Sequence, residues 1–447
     1  MKQFFIPLLL IMPGLVFAQG LFESSVEEVQ EQSELNLDFN GYTRGTAWLG
    51  SEQYDYGLAF GELAFQGKLE KNRTWLFTDL RFRSGYRFET SFTEMEIKEA
   101  YAGFTGEKVD VRLGNQIVSW GRTDGFNPTN NITPEDYFFL TPDPDDQKLS
   151  NFMLRFKYRF NAVMELDVIG IPLYRPSVYR FDLFDMGEDV SFGDFVTPER
   201  SFKNGSFAVR FNVELPKSGF SFSWFRGYAS MYGFDVREID WSSGSPVITN
   251  AGMPYRKNSL GADLSVPIGS WIARTELAFN LVEEDEERIY IPNSDLSYVI
   301  GLEHNFGGFN TLLQYIGKYT FNFSDPKTPV LLDPADPVAQ LVYANEMICH
   351  ESLLFNRRIF YQQEETNHAF ALSISRSFRY ETLQASLSAY YNFTSEEYLL
   401  RPELEWKITD GLSAKIGFSL MDGPENSLFS YSGPVMSGGF IQLKAGF

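Results

Sequence analysis

From Leu35 to the end of the chain, apolar and polar residues alternate with a period of two. Leu35, Leu37 and Phe39 alternate with Asn36, Asp38 and Asn40. Phe152, Leu154, Phe156, Tyr158 and Phe160 alternate with Met153, Arg155, Lys157 and Arg159. Phe207, Val209, Phe211 and Val213 do so with Ala208, Arg210, Asn212 and Glu214, and Leu383 to Tyr391 repeats the texture. Strict alternation gives a strand one apolar and one polar face. No sustained helical periodicity and no linker interrupts the pattern, so the expected fold is all-β.

Connection lengths separate a soluble sheet protein from a membrane barrel. Short turns are expected near 71–73, 106–108, 161, 216–219, 267–270, 307–308, 378–380 and 409–411. Long segments lie between them at 121–150, 172–202, 230–256, 283–296, 321–366 and 421–437. Brief connections fall near 50–56, 90–93 and 394–397. Short and long ends alternate in phase, as in a transmembrane antiparallel up-and-down β-barrel of about 18 strands (range about 16–18), with short periplasmic turns and long extracellular loops. An even count puts both termini in the periplasm. A spanning sheet must close, because an unpaired edge in hydrocarbon leaves backbone groups unsatisfied. Trp75, Trp120, Trp224, Trp271, Tyr319 and Trp406 are candidates for the aromatic girdles at the two interfaces. In MEIKEAYAGF, no single alternation keeps both Lys98 and Glu99 off the lipid, which predicts a bulge between them.

The N-terminus carries a different signal. Residues 1–18, MKQFFIPLLLIMPGLVFA, combine Lys2 with an apolar run and small residues at a cleavage site after Ala18. This is the pattern of a secretory signal peptide. Residues 19–34 form an acidic periplasmic arm with Glu23, Glu27, Glu28, Glu31 and Glu34. The barrel then occupies 35–447. At the far end, Ile441, Leu443, Ala445 and Phe447 alternate with polar residues. A terminal aromatic strand of this kind resembles the one by which the barrel assembly machinery recognises outer-membrane barrels, and Phe447 is its assembly signal.

Composition narrows the partners. A formal charge of -21 argues against nucleic acid. A mean hydropathy of -0.22 excludes a polytopic helical membrane protein. One cysteine, Cys349, excludes a disulfide framework. No glycine-rich phosphate loop or His-Glu-x-x-His motif is present, and the three histidines, His304, His350 and His368, stand in no catalytic pattern. The chain is not expected to be an enzyme or to need a cofactor or a metal.

The inferred inward faces are charged. Arg81, Arg83, Arg87, Arg112, Arg155, Lys157 and Arg159 fall on neighbouring strands as a candidate pore-lining basic ladder, with Asp79, Asp110, Glu165 and Asp167 among them. Such a wall either orients polar solutes or pairs with itself. The third outer loop, 121–150, follows EAYAGF and VRLGNQ and continues WGRTDGFNPTNNITPEDY. These strands resemble those of Gram-negative porins, and the continuation resembles a looser group that includes alginate-export-like barrels. Asn115 stands where the porin pattern has Arg. The resemblance implies that 121–150 folds into the lumen and that Glu135, Asp136, Asp143, Asp145 and Asp146 are constriction acids facing the ladder. By the same resemblance a homo-trimer is among the possible assemblies, though no patch in the sequence decides it. The other outer loops are acidic and aromatic, suited to solvent or to divalent bridging with lipopolysaccharide.

The expected function is that of an outer-membrane porin, a channel for passive diffusion of small polar or charged solutes, embedded in lipid and lipopolysaccharide. The alternative is a closed or gated barrel acting in export, surface binding or outer-membrane assembly.

Overall fold

The structure, a computed structural model, describes residues 35–123, 125–187, 189–283 and 288–447. The expected signal peptide and acidic arm lie outside the described residues. The chain forms β1 (Asn36–Leu49), β2 (Tyr56–Lys71), β3 (Thr74–Arg87), β4 (Thr90–Thr105), β5 (Val109–Gln116), β6 (Asn151–Arg159) and β7 (Met164–Ile171). It continues with β8 (Val190–Gly193), β9 (Ser206–Leu215), β10 (Ser218–Tyr228), β11 (Gly233–Asp240), β12 (Val247–Met253), β13 (Arg256–Ile268) and β14 (Trp271–Val282). The last strands are β15 (Asp295–Phe306), β16 (Phe309–Thr320), β17 (Thr366–Phe378), β18 (Leu383–Asn392), β19 (Glu397–Thr409), β20 (Leu412–Asp422) and β21 (Gly438–Gly446). Two helices, α1 (Pro337–Ile359) and α2 (Leu428–Met436), stand in the long connections.

All strands but β8, β11 and β12 make one 18-stranded antiparallel sheet, each paired with its neighbours in chain order. The ring closes where β1 pairs with β21, Tyr42 opposite Gly446 and Trp48 opposite Phe440. Phe447 adds two backbone hydrogen bonds to Gly41, at 2.9 and 3.0 Å. The eight expected short turns all fall at one rim and the long segments at the other. The connection placed at 90–93 turns slightly earlier, at Phe88 and Glu89, both in the left-handed region.

Alternation sorts the faces. On β3, Leu76, Phe82 and Tyr86 are exposed on the outside while Asp79, Arg81 and Arg83 are buried inside. Ile97, Leu113, Leu154, Leu260, Ile300, Leu313, Ile416 and Ile441 continue the outer apolar belt around the ring. In water such a belt would be an aggregation surface; against lipid it is the face a spanning barrel requires. The register shifts where Asp79 faces Glu99 but Leu80 faces Ile97. Lys98 is the extra residue, so the bulge lies where the conflict of charges predicted it, and Lys98 and Glu99 both turn inward.

Two girdle candidates are placed elsewhere. Trp120 is buried in the third outer connection, between β5 and β6, and donates to Asp167 at 3.3 Å. Trp75 sits on the inward register of β3, under the Arg112 guanidinium. Trp224, Trp271, Tyr319 and Trp406 are exposed near strand ends on the apolar outside.

The absence of helical periodicity also needs correction, because α1 runs 23 residues. Asp336 caps it by accepting from the Val338 amide at 3.0 Å, Pro337 takes the first turn, and Arg357 and Arg358 face the negative end of the dipole. Its apolar residues ring the helix: Val338, Leu341 and Val342 are exposed while Phe355 and Ile359 are buried. No single stripe therefore marked it. In the long connections, β11 and β12 form a hairpin and β8 adds parallel to β12. This small sheet, α1 and α2 share one aromatic cluster with Phe138, Phe139 and Leu140 of the third connection and with Trp48, Phe60 and Phe440 of the barrel.

Candidate functional site: the lumen and its crossing segment

The wall charges are paired before anything else reaches them. Glu62 on β2 forms an ion pair with Arg44 on β1, at 2.8 Å, and accepts from Arg83 on β3. Arg83 also meets Glu96 on β4 at 2.7 Å. Arg87 pairs with Glu94 at 3.2 Å, Arg155 with Asp167 at 2.6 Å, Lys157 with Glu165 at 2.6 Å and Arg159 with Asp110 at 3.1 Å. Arg112 lies 3.8 Å from Asp110 and stacks over Trp75 and Tyr101. The basic ladder is thus interleaved with acids from adjacent strands. Antiparallel pairing sets inward side chains close enough across strands for this exchange.

Residues 117–150 touch this inner wall on two arcs. The first arc lies on β9, β13 and β14. Arg122 pairs with Asp263 and with Glu214, the latter at 2.7 Å, and donates to Asn212 at 2.6 Å. Glu276, 0% exposed, accepts from the amides of Arg122 and Thr123 and from the hydroxyls of Thr123 and Thr129. Gly121 precedes this anchor at a φ of +112°, and a side chain there would collide with Asn127. The second arc lies on β19, β20, β21, β1, β3 and β4. Asp146 bridges Arg44 at 2.6 Å and Arg81 at 2.7 Å. Lys98, the bulge residue, donates to the Asp146 carbonyl at 2.7 Å. Asp143 meets Lys415 at 2.7 Å, and Arg401 on β19 donates to the carbonyls of Thr141 and Pro142. The two arcs stand about half-way round the ring from one another.

The five acids expected to face the ladder therefore part company. Asp146 meets it at Arg81, and Asp143 meets Lys415 instead. Asp145 pairs with Lys148 within its own segment at 2.7 Å. Glu135 and Asp136 pair by backbone β-bridges with Lys148 and Val178; the Asp136 carboxylate accepts from the Phe138 amide and shares a cavity with Arg83 and Arg87 of the ladder. Burial pushes the Glu135 and Asp136 carboxyls above the usual carboxylate range. Burial would also raise Asp146, but Arg44 and Arg81 outweigh it and hold the carboxyl down at about 2. Arg44, Glu62, Arg122, Asp263, Glu276 and Lys415 are the anchors that sequence reasoning missed. Their alternation marked most of them as inward, but which partners meet across the ring is a tertiary fact.

Space remains beside the segment. A cavity of about 760 Å³ opens at the short-turn rim, lined by Asp143, Glu405, Lys407, Lys415 and Lys444. A second, of about 280 Å³, lies against Arg83, Arg87, Glu96, Asp136 and Arg175. Neither pairs a nucleophile with a base. Elsewhere Ser270 meets His304 at 2.9 Å and Tyr315 meets His368 at 2.6 Å, and neither imidazole shows an acidic partner among the described residues.

The closed barrel superposes on solved structures of similar fold. OccAB2 of Acinetobacter baumannii superposes with a TM-score of 0.52 at 9% identity, over 92% of this chain and 98% of that one. The chain shares the outer-membrane porin barrel. OccAB3 of the same organism gives 0.51 at 11% identity over 92% and 98%. OccK10 (OpdN) of Pseudomonas aeruginosa gives 0.51 at 9% identity over the same shares. No family model matches the chain, and no curated protein does. At these identities the likeness carries the fold, and the roles of residues rest on the geometry above.

Proposed function

We propose that this barrel is a channel of the bacterial outer membrane for passive diffusion of small polar or charged solutes. The observation that carries this reading is an apolar outer belt around a charge-lined inner wall that keeps an open mouth of about 760 Å³ beside the crossing segment. In this reading the short-turn rim and both termini face the periplasm, and the long connections face outward. Phe447 at the closing strand serves as the assembly signal. Residues 117–150 narrow the bore, with Asp143 and Asp146 as constriction acids. Arg81, Arg83, Arg87, Arg112, Arg155, Lys157 and Arg159 set the wall field, most of it spent on neighbouring acids. The path runs beside the segment, through the 760 Å³ mouth.

The test is single-channel conductance of the refolded protein in a planar bilayer, with reversal potentials in a salt gradient. Stable open steps are expected, and deleting 135–146 should raise them. The aromatic cluster over the long-loop rim favours a second reading, a closed or gated barrel. Electrical silence from a folded, heat-modifiable barrel would choose it.

A further inference from the structure

The barrel wall steps down on one side of the ring. β1 to β4 run 14 to 16 residues, whereas β5, β6 and β7 run 8, 9 and 8. Crossing the hydrocarbon takes about 9–11 residues of tilted strand. The long-connection ends of these three strands therefore stop at the border between acyl chains and headgroups.

At that step a cavity of about 280 Å³ opens on the lipid side of the wall. Its floor is the cross-strand pair Asn115 and Phe152, one step above the exposed pair Leu113 and Leu154 on the same outward register. Leu173, after β7, and Asn204, before β9, line its sides. Two arginines join them, Arg175 and Arg200. Arg175 donates to the Ser150 carbonyl at 2.6 Å and also borders the lumen cavity beside Arg83. Among the described residues neither arginine forms an ion pair, whereas every cation of the ladder has a carboxylate within 4.0 Å. One carboxylate, Glu199, shares the lining, so the cavity stays net positive.

Apolar floor and unpaired guanidiniums at this depth fit one occupant. At the edge of the hydrocarbon a cation without a counter-charge is poorly solvated, and an anion supplied by the membrane relieves it. Guanidinium forks match phosphate oxygens in pairs. We propose that this cavity holds the phosphate headgroup of an outer-leaflet glycolipid, bound directly by Arg175 and Arg200, with its acyl chains over Phe152 and Leu154. Asn115, the departure from the porin pattern, belongs to this lipid site and not to the lumen. The contact is direct, unlike the divalent bridging to which the acidic loops are suited. The leaflet follows from the orientation proposed above; the binding, read on purified protein, depends neither on that orientation nor on conductance.

The experiment is native mass spectrometry of the refolded full chain in detergent with EDTA, titrated with bis-phosphorylated lipid A and with the same lipid stripped of both phosphates. One lipid A should stay bound at concentrations about tenfold below those the stripped lipid needs, the gain expected for one charge-assisted contact. Arg175→Gln combined with Arg200→Gln should bring the two lipids level. Arg237→Gln, at an exposed arginine of β11, should leave the preference as it is. A heat-modifiable band confirms an intact barrel for each variant. Equal retention of the two lipids by the unaltered protein overturns the proposal. So does a preference that survives the double variant, or one that appears only when calcium replaces EDTA, which would be bridging through the acidic loops.

Discussion

Residues 117–150 are held by two chemistries, and the contrast organises the molecule. At both ends the segment is tied by charge: Arg122 to Asp263 and Glu214, and Asp146 to Arg44 and Arg81. In its middle, Phe138, Phe139 and Leu140 belong to the aromatic cluster under the small sheet and the helices. Phe181 sits at the centre of that cluster, with ring contacts to Phe184, Phe192, Phe234 and Phe355 at centroid distances of 4.9 to 6.3 Å. Charge pairs are directional and fail when one partner goes, because the survivor stays buried. Aromatic packing is less directional and fails by leaving a cavity. The lumen is thus specified by pairing and the outer layer by volume.

The sharpest way to break the comparison is Asp146→Ala. It takes the shared carboxylate from Arg44 and Arg81, which keep only Glu62 and Asp79, a loss of about 3–5 kcal/mol in the seating of the segment. Single-channel steps should grow and become unsteady. Phe181→Ala should cost about the same, about 3–5 kcal/mol, but from the outer layer. Its expected readout is faster protease cleavage within 230–256 and 321–366, with step height unchanged. Equal changes in step height from both variants would show the two regions to be one unit. Glu276→Gln sharpens the comparison with a smaller effect of about 1–3 kcal/mol, since one of its two acceptor oxygens becomes a donor facing donors. A modest rise in conductance is expected, additive with Asp146→Ala because the anchors lie on separate arcs.

The barrel was largely legible before the structure, and the reason is local. Period-two alternation and turn spacing are short-range signals, so the turns, the strand number and even the bulge at Lys98 followed from neighbours in sequence. The outer layer was not legible, because its order comes from aromatic contacts between connections far apart in the chain. The helix α1 hid for the same reason: with Val338 at 67% exposure and Phe355 buried, its pattern reflects tertiary neighbours more than an amphipathic stripe. The site lay between these cases. Alternation put Arg81, Arg83 and Arg155 inside. It could not say that Glu62 and Asp167 would neutralise them, or that Asp146 would reach a pair of arginines while Asp145 stayed with Lys148.

The smallest expected effect is a pH dependence whose sign differs between the two chemistries. The Asp146 carboxyl is depressed to about 2, so its contribution is complete above the usual carboxylate range and is lost as pH falls toward 2. Glu135 and Asp136, in the middle of the segment, are raised by burial. Their contribution runs the other way, present when they are protonated and lost as pH rises through their folded values. Acidification through the raised range of these two carboxyls should therefore tighten the middle of the segment before it touches the ends, and step height should hold or fall slightly. As pH falls from about 4 toward 2 the Asp146 contribution is lost and step height should rise. Asp136→Asn should weaken the early limb, which Glu135 still carries, and leave the late one, while Asp146→Asn should remove the late one and leave the early. A single monotonic curve in all three proteins would show that the segment titrates as one body, and that charge and packing do not hold it separately.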